Sequence, residues 1–439
     1  MLTREDNEML TRVGPGTPMG ELMREYWMPF GLSSELPEAD CPPVRIMILC
    51  EELVAFRDSN GKVGLVDNYC PHRRASLFFG RNEECGLRCV YHGWKFDTNG
   101  DCVDMPSEPA ESNFKDKVKI KAYPVEERGG IMWTYMGPRS TTPGLPELPS
   151  NMIEDVVVSA YMRPCNWMQA LEGDIDTVHT LYLHLGLTKY EDTPVGSWAW
   201  WHLQNRAPHY AAIDTDFGTM YGAYRPAMEG MNYWRFANFL MPFYAMTPPG
   251  VLGLEDKFRA WVPMDDTHTL AISSNTRSPL FGPNGERPKG QWASGATDVH
   301  PQGTGFFERF VCVADMDNDF QIDRDAQKTK SYAGLKSIFL EDQAVTVSMD
   351  PIVDREKERL GTSDQMIIRT RRRLLRAARS LQEGETPPGV DNPEVYAVRS
   401  GGAMLPIGCD WYEETKNFRA GWVDHPELDR AIIGGVPAV

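Results

Sequence analysis

Apolar residues recur at helical spacing in the first stretch of the chain, at Met9, Leu10 and Val13 and then at Met19, Leu22 and Met23. Thr17 and Pro18 stand where a cap and first turn belong, so the pattern predicts a helical arm over about 3–27. From about 28 to 140 the texture changes to short β runs: VRIMILC, ELVAFRD, KVGLVD, KVKIKAYPVEE and GGIMWTYMG. Each is bounded by Gly, Asn, Asp or Pro, and Asp58-Ser-Asn-Gly61 and Asp97-Thr-Asn-Gly100 are hairpin-type turns. A small antiparallel β domain follows from that pattern. Pro-rich residues 142–149 mark its end. Beyond them, Asn166 to His184 has helical texture, with Leu171, Ile175, Val178, Leu181 and Leu185 on a repeating face. Trp198 and Trp200 alternate as a strand face does, residues 210–275 return to strand-like runs, and 326–347 is helical again. Asp364 to Leu381 is a basic amphipathic helix. The expected division is an arm at 1–27, a β domain at 28–145 and a larger domain at 146–439.

Composition narrows the class. With 439 residues, 41% hydrophobic and 24% charged, the chain is that of a globular protein. The net charge of −17 argues against a binder of nucleic acid or anionic membrane, which needs a basic footprint. The start, MLTREDNEMLTRVGPG, has no apolar signal core, and no run of 18 apolar residues occurs, so a cytoplasmic location is expected. Nine cysteines, an odd number thinly spread, do not make a disulfide scaffold, which brings metal binding forward.

Cys70-Pro-His72 is followed after 16 residues by Cys89-Val-Tyr-His92. Two short loops each supply one thiolate and one imidazole. Zinc fingers pair like ligands, whereas here unlike ligands are paired. The four donors can close an S2N2 shell on one metal ion such as zinc, or the two loops can place both Cys on one iron and both His on the other, as in a Rieske centre. CPHRRASL and CVYHGWKFD resemble the Rieske signature of ring-hydroxylating oxygenases. Cys85 and Cys102 lie outside the pattern and read as buried thiols.

A second constellation is Asp176-x2-His179-x4-His184. Asp176 and His179 are one helical turn apart. His179 and His184 would point about 140° apart on a regular helix, so holding one ion needs a bulge or a helix break. Two His and one carboxylate with open positions mark non-heme Fe(II) oxygenases. Here the resemblance supplies the third ligand: an acidic residue in a late helix, carried onto Asp342 with Glu341 as the adjacent alternative. Asp174 and Glu172 precede the motif as candidate supporting groups.

The resemblance extends along most of the chain, through REDNEMLTRVGPGTPMGELMREYW, MPSEPAESNFKDKVKIKAYPVEERGGIMWTYMGP and PIVDREKERLGTSDQMIIRTRRRLL. These stretches look like the phthalate 4,5-dioxygenase branch, with 3-chlorobenzoate dioxygenase and the related aromatic O-demethylases. It implies an α+β chain: an antiparallel β Rieske 2Fe–2S domain, then a catalytic domain of helix-grip type whose antiparallel sheet is flanked by helices. It implies a terminal oxygenase that uses Fe(II), a 2Fe–2S cluster and O2 to hydroxylate an aromatic acid such as a substituted benzoate or phthalate-like compound. O-demethylation of a methoxylated acid is the alternative, and a non-catalytic Rieske electron-transfer protein the reading from another class. It also implies that Asp176 links His179 to a Rieske histidine of a neighbouring subunit, His92 above all, in a homotrimer or stacked hexamer. Electrons come from NADH or NADPH through a separate flavin/iron–sulfur reductase, since this chain has neither a G-x-G-x-x-G placed after a strand nor a plant-type cysteine run.

For the substrate, Arg235 is a candidate anion anchor. His209, after Ala207-Pro208, stands where the branch resembled would carry a second Arg. A substrate with one carboxylate, a phenol or an aryl ether is therefore expected over phthalate. Aromatic residues are dense from 198 to 244, as a pocket wall for a flat ring requires.

Overall fold

Most of the apolar stripe of the arm is packed away: Leu10, Val13, Met19, Leu22 and Met23 have no exposed surface, and Met9 is half-buried. The computed structural model describes residues 2–109, 111–193, 195–276, 297–425 and 428. The arm is two helices, Arg4–Thr11 and Pro18–Arg24. Thr3 and Thr17 cap them by accepting from the Asp6 and Gly20 amides, each cap contributing about 1 kcal/mol, and Pro18 fills the first turn. Both helices pack on the long helix Gln365–Gln382.

The β region splits into small antiparallel sheets. One joins Val44–Ile48, Glu51–Arg57, Val63–Asp67 and Ala122–Tyr123; another joins Arg81–Glu83, Gly86–Arg88, Lys95–Phe96 and Cys102–Asp104. Strand alternation gives Glu51–Arg57 two jobs. Leu53 and Ala55 enter the main core, while Val54 and Phe56 enter a separate apolar cluster with Cys70, Leu77, Cys89 and Phe96. A third sheet, Trp27–Leu32 with Ile131–Tyr135 and Val125–Arg128, belongs to the main core.

The large sheet is antiparallel throughout. Its order is Val156–Arg163, Thr269–Thr276, Lys257–Pro263, Tyr244–Met246, Met231–Leu240, Gly218–Pro226 and His209–Thr215, with Gly401–Pro406 also pairing with Met231–Leu240. Helix Gln365–Gln382 lies against one face, where Thr219 and Thr370 share a hydrogen bond of 2.8 Å. Most of the basic residues of this helix meet the chain's own acids. Arg371 reaches Glu172 and Glu358, each at 2.5 Å, Arg369 and Arg376 reach Asp214, and Arg379 reaches Asp6. Among the described residues no helix is long and apolar enough to cross a membrane.

Three local expectations are corrected. Trp198 and Trp200 lie on a helix, Trp198–Gln204, not a strand, because Ser197 caps it by accepting from the Trp200 amide. The helix expected over 166–184 stops at Asp174. The stretch 326–347 is two helices, Arg324–Thr329 and Ile338–Val347, parted by a turn in which Gly334 takes φ +73°.

Candidate metal centres and pocket

The two Cys–His loops close with the same hydrogen bonds. The Cys70 amide donates to the Ala75 carbonyl and the Arg74 amide to the Cys70 carbonyl, both at 2.9 Å. The Cys89 amide donates to Trp94 (2.8 Å) and the Gly93 amide to Cys89 (2.9 Å). The fourth residue after each Cys is left-handed, Arg74 at φ 62° and Gly93 at φ 80°. At Gly93 a Cβ would also stand 2.7 Å from Pro106 Cγ, so only glycine fits. The loops bury both thiols, Cys70 and Cys89, beside each other and keep both imidazoles at the surface side, His72 exposed and His92 half-buried. The His72 and His92 rings are 4.3 Å apart, and Trp94 stacks on His72 at 4.4 Å.

This donor set suits two irons better than one ion. Among the described residues the only three donors drawn within 4.8 Å of one another are those of His179, His184 and Asp342. No three of Cys70, His72, Cys89 and His92 are that close, as a single tetrahedral zinc would require. A sulfur end inside and a nitrogen end outside fit a cluster whose Cys iron is buried and whose His iron faces out. Burial pushes the Cys70 thiol up to about 11, so a metal must displace its proton. No disulfide joins any of the nine cysteines; outside the two loops, Cys85 is half-buried and Cys102 buried.

The second site forms where the helix Trp167–Asp174 breaks. After Asp174 the chain turns through Ile175, and Asp176 ties the turn by accepting the Val178 amide at 2.7 Å. Residues His179–Leu181 make a short 3-10 turn, and the Leu185 amide reaches the Thr180 carbonyl at 3.0 Å, a π-type spacing. That break sets the His179 and His184 rings edge to face, 5.1 Å apart. Arg206 holds the loop by donating to the Leu181 carbonyl at 2.7 Å.

Helix Ile338–Val347 brings two adjacent acids to these rings. Glu341 Oε2 takes His184 Nδ1 at 2.6 Å, and its other oxygen accepts from Ser331 at 3.3 Å. Glu341 has no exposed surface and both oxygens are engaged, so it orients His184 rather than offering a ligand. Asp342 Oδ1 faces the free Nε2 of both rings, 3.2 Å from His184 and 3.5 Å from His179. Burial works against charge at each group, yet the hydrogen bonds to Asp342 and Glu341 bring His184 up to about 9. His184, His179 and Arg163 likewise bring Asp342 down to about 2. The geometry is that of a three-donor face on one small cation. Glu341→Gln is expected to weaken Fe(II) binding about 10–100-fold, read by chelator competition, with the Rieske absorbance unchanged. Unaltered affinity would make Glu341 a merely buried acid.

Asp176 Oδ2 lies 3.5 Å from His179 Nδ1. Asp174 and Glu172 are structural: Asp174 accepts from Arg259 (2.7 Å) and Trp261 (2.8 Å), and Glu172 bridges Arg355 and Arg371. The large sheet covers the loop with the face carrying Tyr221 and Arg235, since Arg235 pairs with Ala223, two residues along from Tyr221. Thr177 and Asp176 are among the polar neighbours of Tyr221. Arg235 is buried under Trp198, 4.9 Å from the ring. The expectation for His209 is corrected. It pairs with Tyr224, whose ring stacks on Trp234 across the opposite face, and it is exposed there, so strand alternation turns it away from Arg235. Sequence reasoning missed Arg206, which carries no spacing signal, and had Tyr221 only as one of the dense aromatic residues between 198 and 244.

Residues 26–124 match the Rieske [2Fe-2S] domain family, and residues 134–430 match the LigXa C-terminal domain like family. The chain is 44% identical to the 3-chlorobenzoate-3,4-dioxygenase oxygenase subunit of Comamonas testosteroni, over 94% of this chain and 97% of that one. It is 37% identical to the phthalate 4,5-dioxygenase oxygenase subunit of Pseudomonas putida, over 96% of both. It is 33% identical to the 5,5'-dehydrodivanillate O-demethylase oxygenase subunit of Sphingobium sp. (strain NBRC 103272 / SYK-6), over 89% of this chain and 84% of that one.

Proposed function

The chain belongs to the Rieske non-heme iron ring-hydroxylating oxygenases, as an oxygenase subunit, and from that membership we propose that it oxidises an aromatic acid held between the large sheet and the His179–His184 loop. The observation that carries this reading is the convergence of His179 Nε2 and His184 Nε2 on Asp342 Oδ1. Cys70, His72, Cys89 and His92 would hold the 2Fe–2S cluster, and His179, His184 and Asp342 the Fe(II). Together these centres supply O2 activation with electrons delivered one at a time. The chain's own residues do the rest. Glu341 fixes the His184 tautomer, Arg206 and Asp176 fix the loop, and Arg235 draws the carboxylate into an otherwise aromatic wall.

The electrons come from a separate reductase, which we take to carry flavin and a plant-type cluster and to draw on NADH or NADPH. We read the chain as an arm at 1–27, a cluster domain at 28–145 and an iron domain at 146–439. Asp176 would link the iron of one subunit to His92 of the next in a head-to-tail ring, a trimer or stacked hexamer. Exposed apolar residues stand beside both ends of that link, Val90 and Tyr91 before His92 and Tyr182 after His179. The test is a screen of benzoates, benzene dicarboxylates and methoxybenzoates with a matching reductase, scoring O2 uptake together with product. A ring diol or phenol marks hydroxylation, and formaldehyde marks O-demethylation. If no carboxylated aromatic gives coupled product, the reading falls.

A further inference from the structure

Buried polar groups in folded proteins almost always have partners, so a concentration of buried groups without them marks a place where a ligand supplies what the chain does not. On the face of the sheet that carries Arg235, such groups are concentrated. Arg225 lies two residues beyond Ala223, the strand partner of Arg235, so both guanidinium stems rise from the same face as diagonal neighbours, their backbones about 7–8 Å apart. Arg225 has no exposed surface. Its Nε donates to the Asn205 carbonyl at 3.0 Å, but Nη1 and Nη2 have no partner among the described residues. Arg235 donates Nη2 to the Pro248 carbonyl at 2.7 Å and leaves Nε unpartnered. The Tyr210 hydroxyl and the Trp201 indole N–H are also buried without partners among the described residues. Tyr233 is the residue directly opposite Arg225.

The electrostatics point the same way. The groups acting most strongly on Arg225, apart from its burial, are Tyr233, Arg235, Tyr210 and Tyr221, with no carboxylate among them. Two buried cations on one face repel each other, and burial without a counter-charge is costly. The rest of the chain spends its 62 acids freely on arginines, as at Arg371 and Arg399. The face is also within electrostatic reach of the iron loop, because Tyr221 feels Arg225 and Arg235 on one side and Thr177 and Asp176 on the other. A single substrate carboxylate would neutralise one guanidinium and leave the other bare. Two carboxylates neutralise both.

We infer that Arg225 is a second anion-binding residue of the pocket and that, with Arg235, it holds the two carboxylates of an aromatic dicarboxylate. This rests on the reading of the pocket as the substrate site. It also replaces the one-carboxylate expectation drawn from His209. The second cation comes from the strand Gly218–Pro226 rather than from the segment before it. Nothing in the spacing of the sequence announces Arg225; its role follows from sheet register and from its unpartnered nitrogens.

The experiment is equilibrium binding of benzoate and of benzene-1,2-, 1,3- and 1,4-dicarboxylate to the metal-loaded protein without O2, for wild type, Arg225→Met, Arg225→Lys and Arg235→Met. At least one dicarboxylate should bind wild type about 10–100-fold more tightly than benzoate, as one charge-assisted bidentate contact warrants. Arg225→Met should erase that preference while leaving benzoate affinity within about threefold. Arg225→Lys, which keeps the charge but loses the fork, should erase it in part. Without ligand, Arg225→Met should melt no lower than wild type, because it removes an unpaired buried charge; if it does not fold, the Arg225→Lys ratio decides. A wild type without dicarboxylate preference, or a preference that survives both Arg225 variants, overturns the inference. Arg235→Met separates the two readings. If it weakens benzoate and dicarboxylates while the Arg225 variants change nothing, only the second anion site falls. If it too changes nothing, the pocket itself is misassigned.

Discussion

His179→Ala should abolish product formation while the visible spectrum of the Rieske cluster stays that of the wild type. His179 Nε2 and His184 Nε2 share Asp342 Oδ1, and removing one ring leaves two protein donors where a facial site needs three. The cluster should not notice. Cys70 and Cys89 sit in an apolar cluster built from Val54, Phe56, Val66, Leu77 and Phe96, which includes no residue of the iron loop. The measurements are iron per chain, absorbance and coupled turnover. The expected result is loss of about one iron in three, an intact spectrum and turnover at the background of free reductase. A spectrum lost together with activity would mean global misfolding. Retained turnover would remove His179 from the ligand set.

The parts of the molecule legible in the sequence are those where chemistry dictates residue type over a short span. The Cys–His loops carry their ligands, their left-handed turn at Gly93 and their stacked Trp94 within a few residues of each Cys. The need for a helix break between His179 and His184 was likewise legible, because 3.6-residue geometry cannot aim both rings at one ion. The break itself takes a form that periodicity does not reveal: an end at Asp174, a 3-10 turn and one π-type bond. The choice between Glu341 and Asp342 was not legible either. Adjacent helical residues point about 100° apart, so only the docking of helix Ile338–Val347 decides which acid meets Nδ1 and which meets Nε2.

Long-range register hid the rest. His209 and Arg235 both looked plausible from their neighbours in sequence, yet pairing puts His209 on the far face and Arg225 on the near one. The alternation of Trp198 and Trp200 looked like a strand because two residues cannot distinguish a period of 2 from a helix turn, and the Ser197 cap settled it. The net charge of −17 gave no hint of a cationic pocket, since two buried arginines barely change a sum over the whole chain.

Asp176→Asn should leave both metal centres loaded and slow electron delivery to the iron about 10–100-fold. Asp176 uses one oxygen to hold the Val178 amide at 2.7 Å, and the other lies 3.5 Å from His179 Nδ1. His179 Nδ1 is buried and has no closer hydrogen-bond partner among the described residues, so this carboxylate is the group placed to set its tautomer. Asparagine keeps the shape and the Val178 contact, which protects the loop, and removes only the charge. The side chain is also 23% exposed, in a loop whose Tyr182 stands out at the surface, so its outer edge is open to a second subunit. The measurement is rapid-mixing reoxidation of the reduced cluster by O2 with substrate present, beside iron content. A slowed reoxidation at full metal content fits a link through Asp176. Loss of iron would instead make Asp176 a support of the site, and an unchanged rate would send the electrons by another path. Diluting the protein until the oligomer dissociates adds the second arm: a link between subunits must fail on dilution in the wild type, whereas a link within one chain must not.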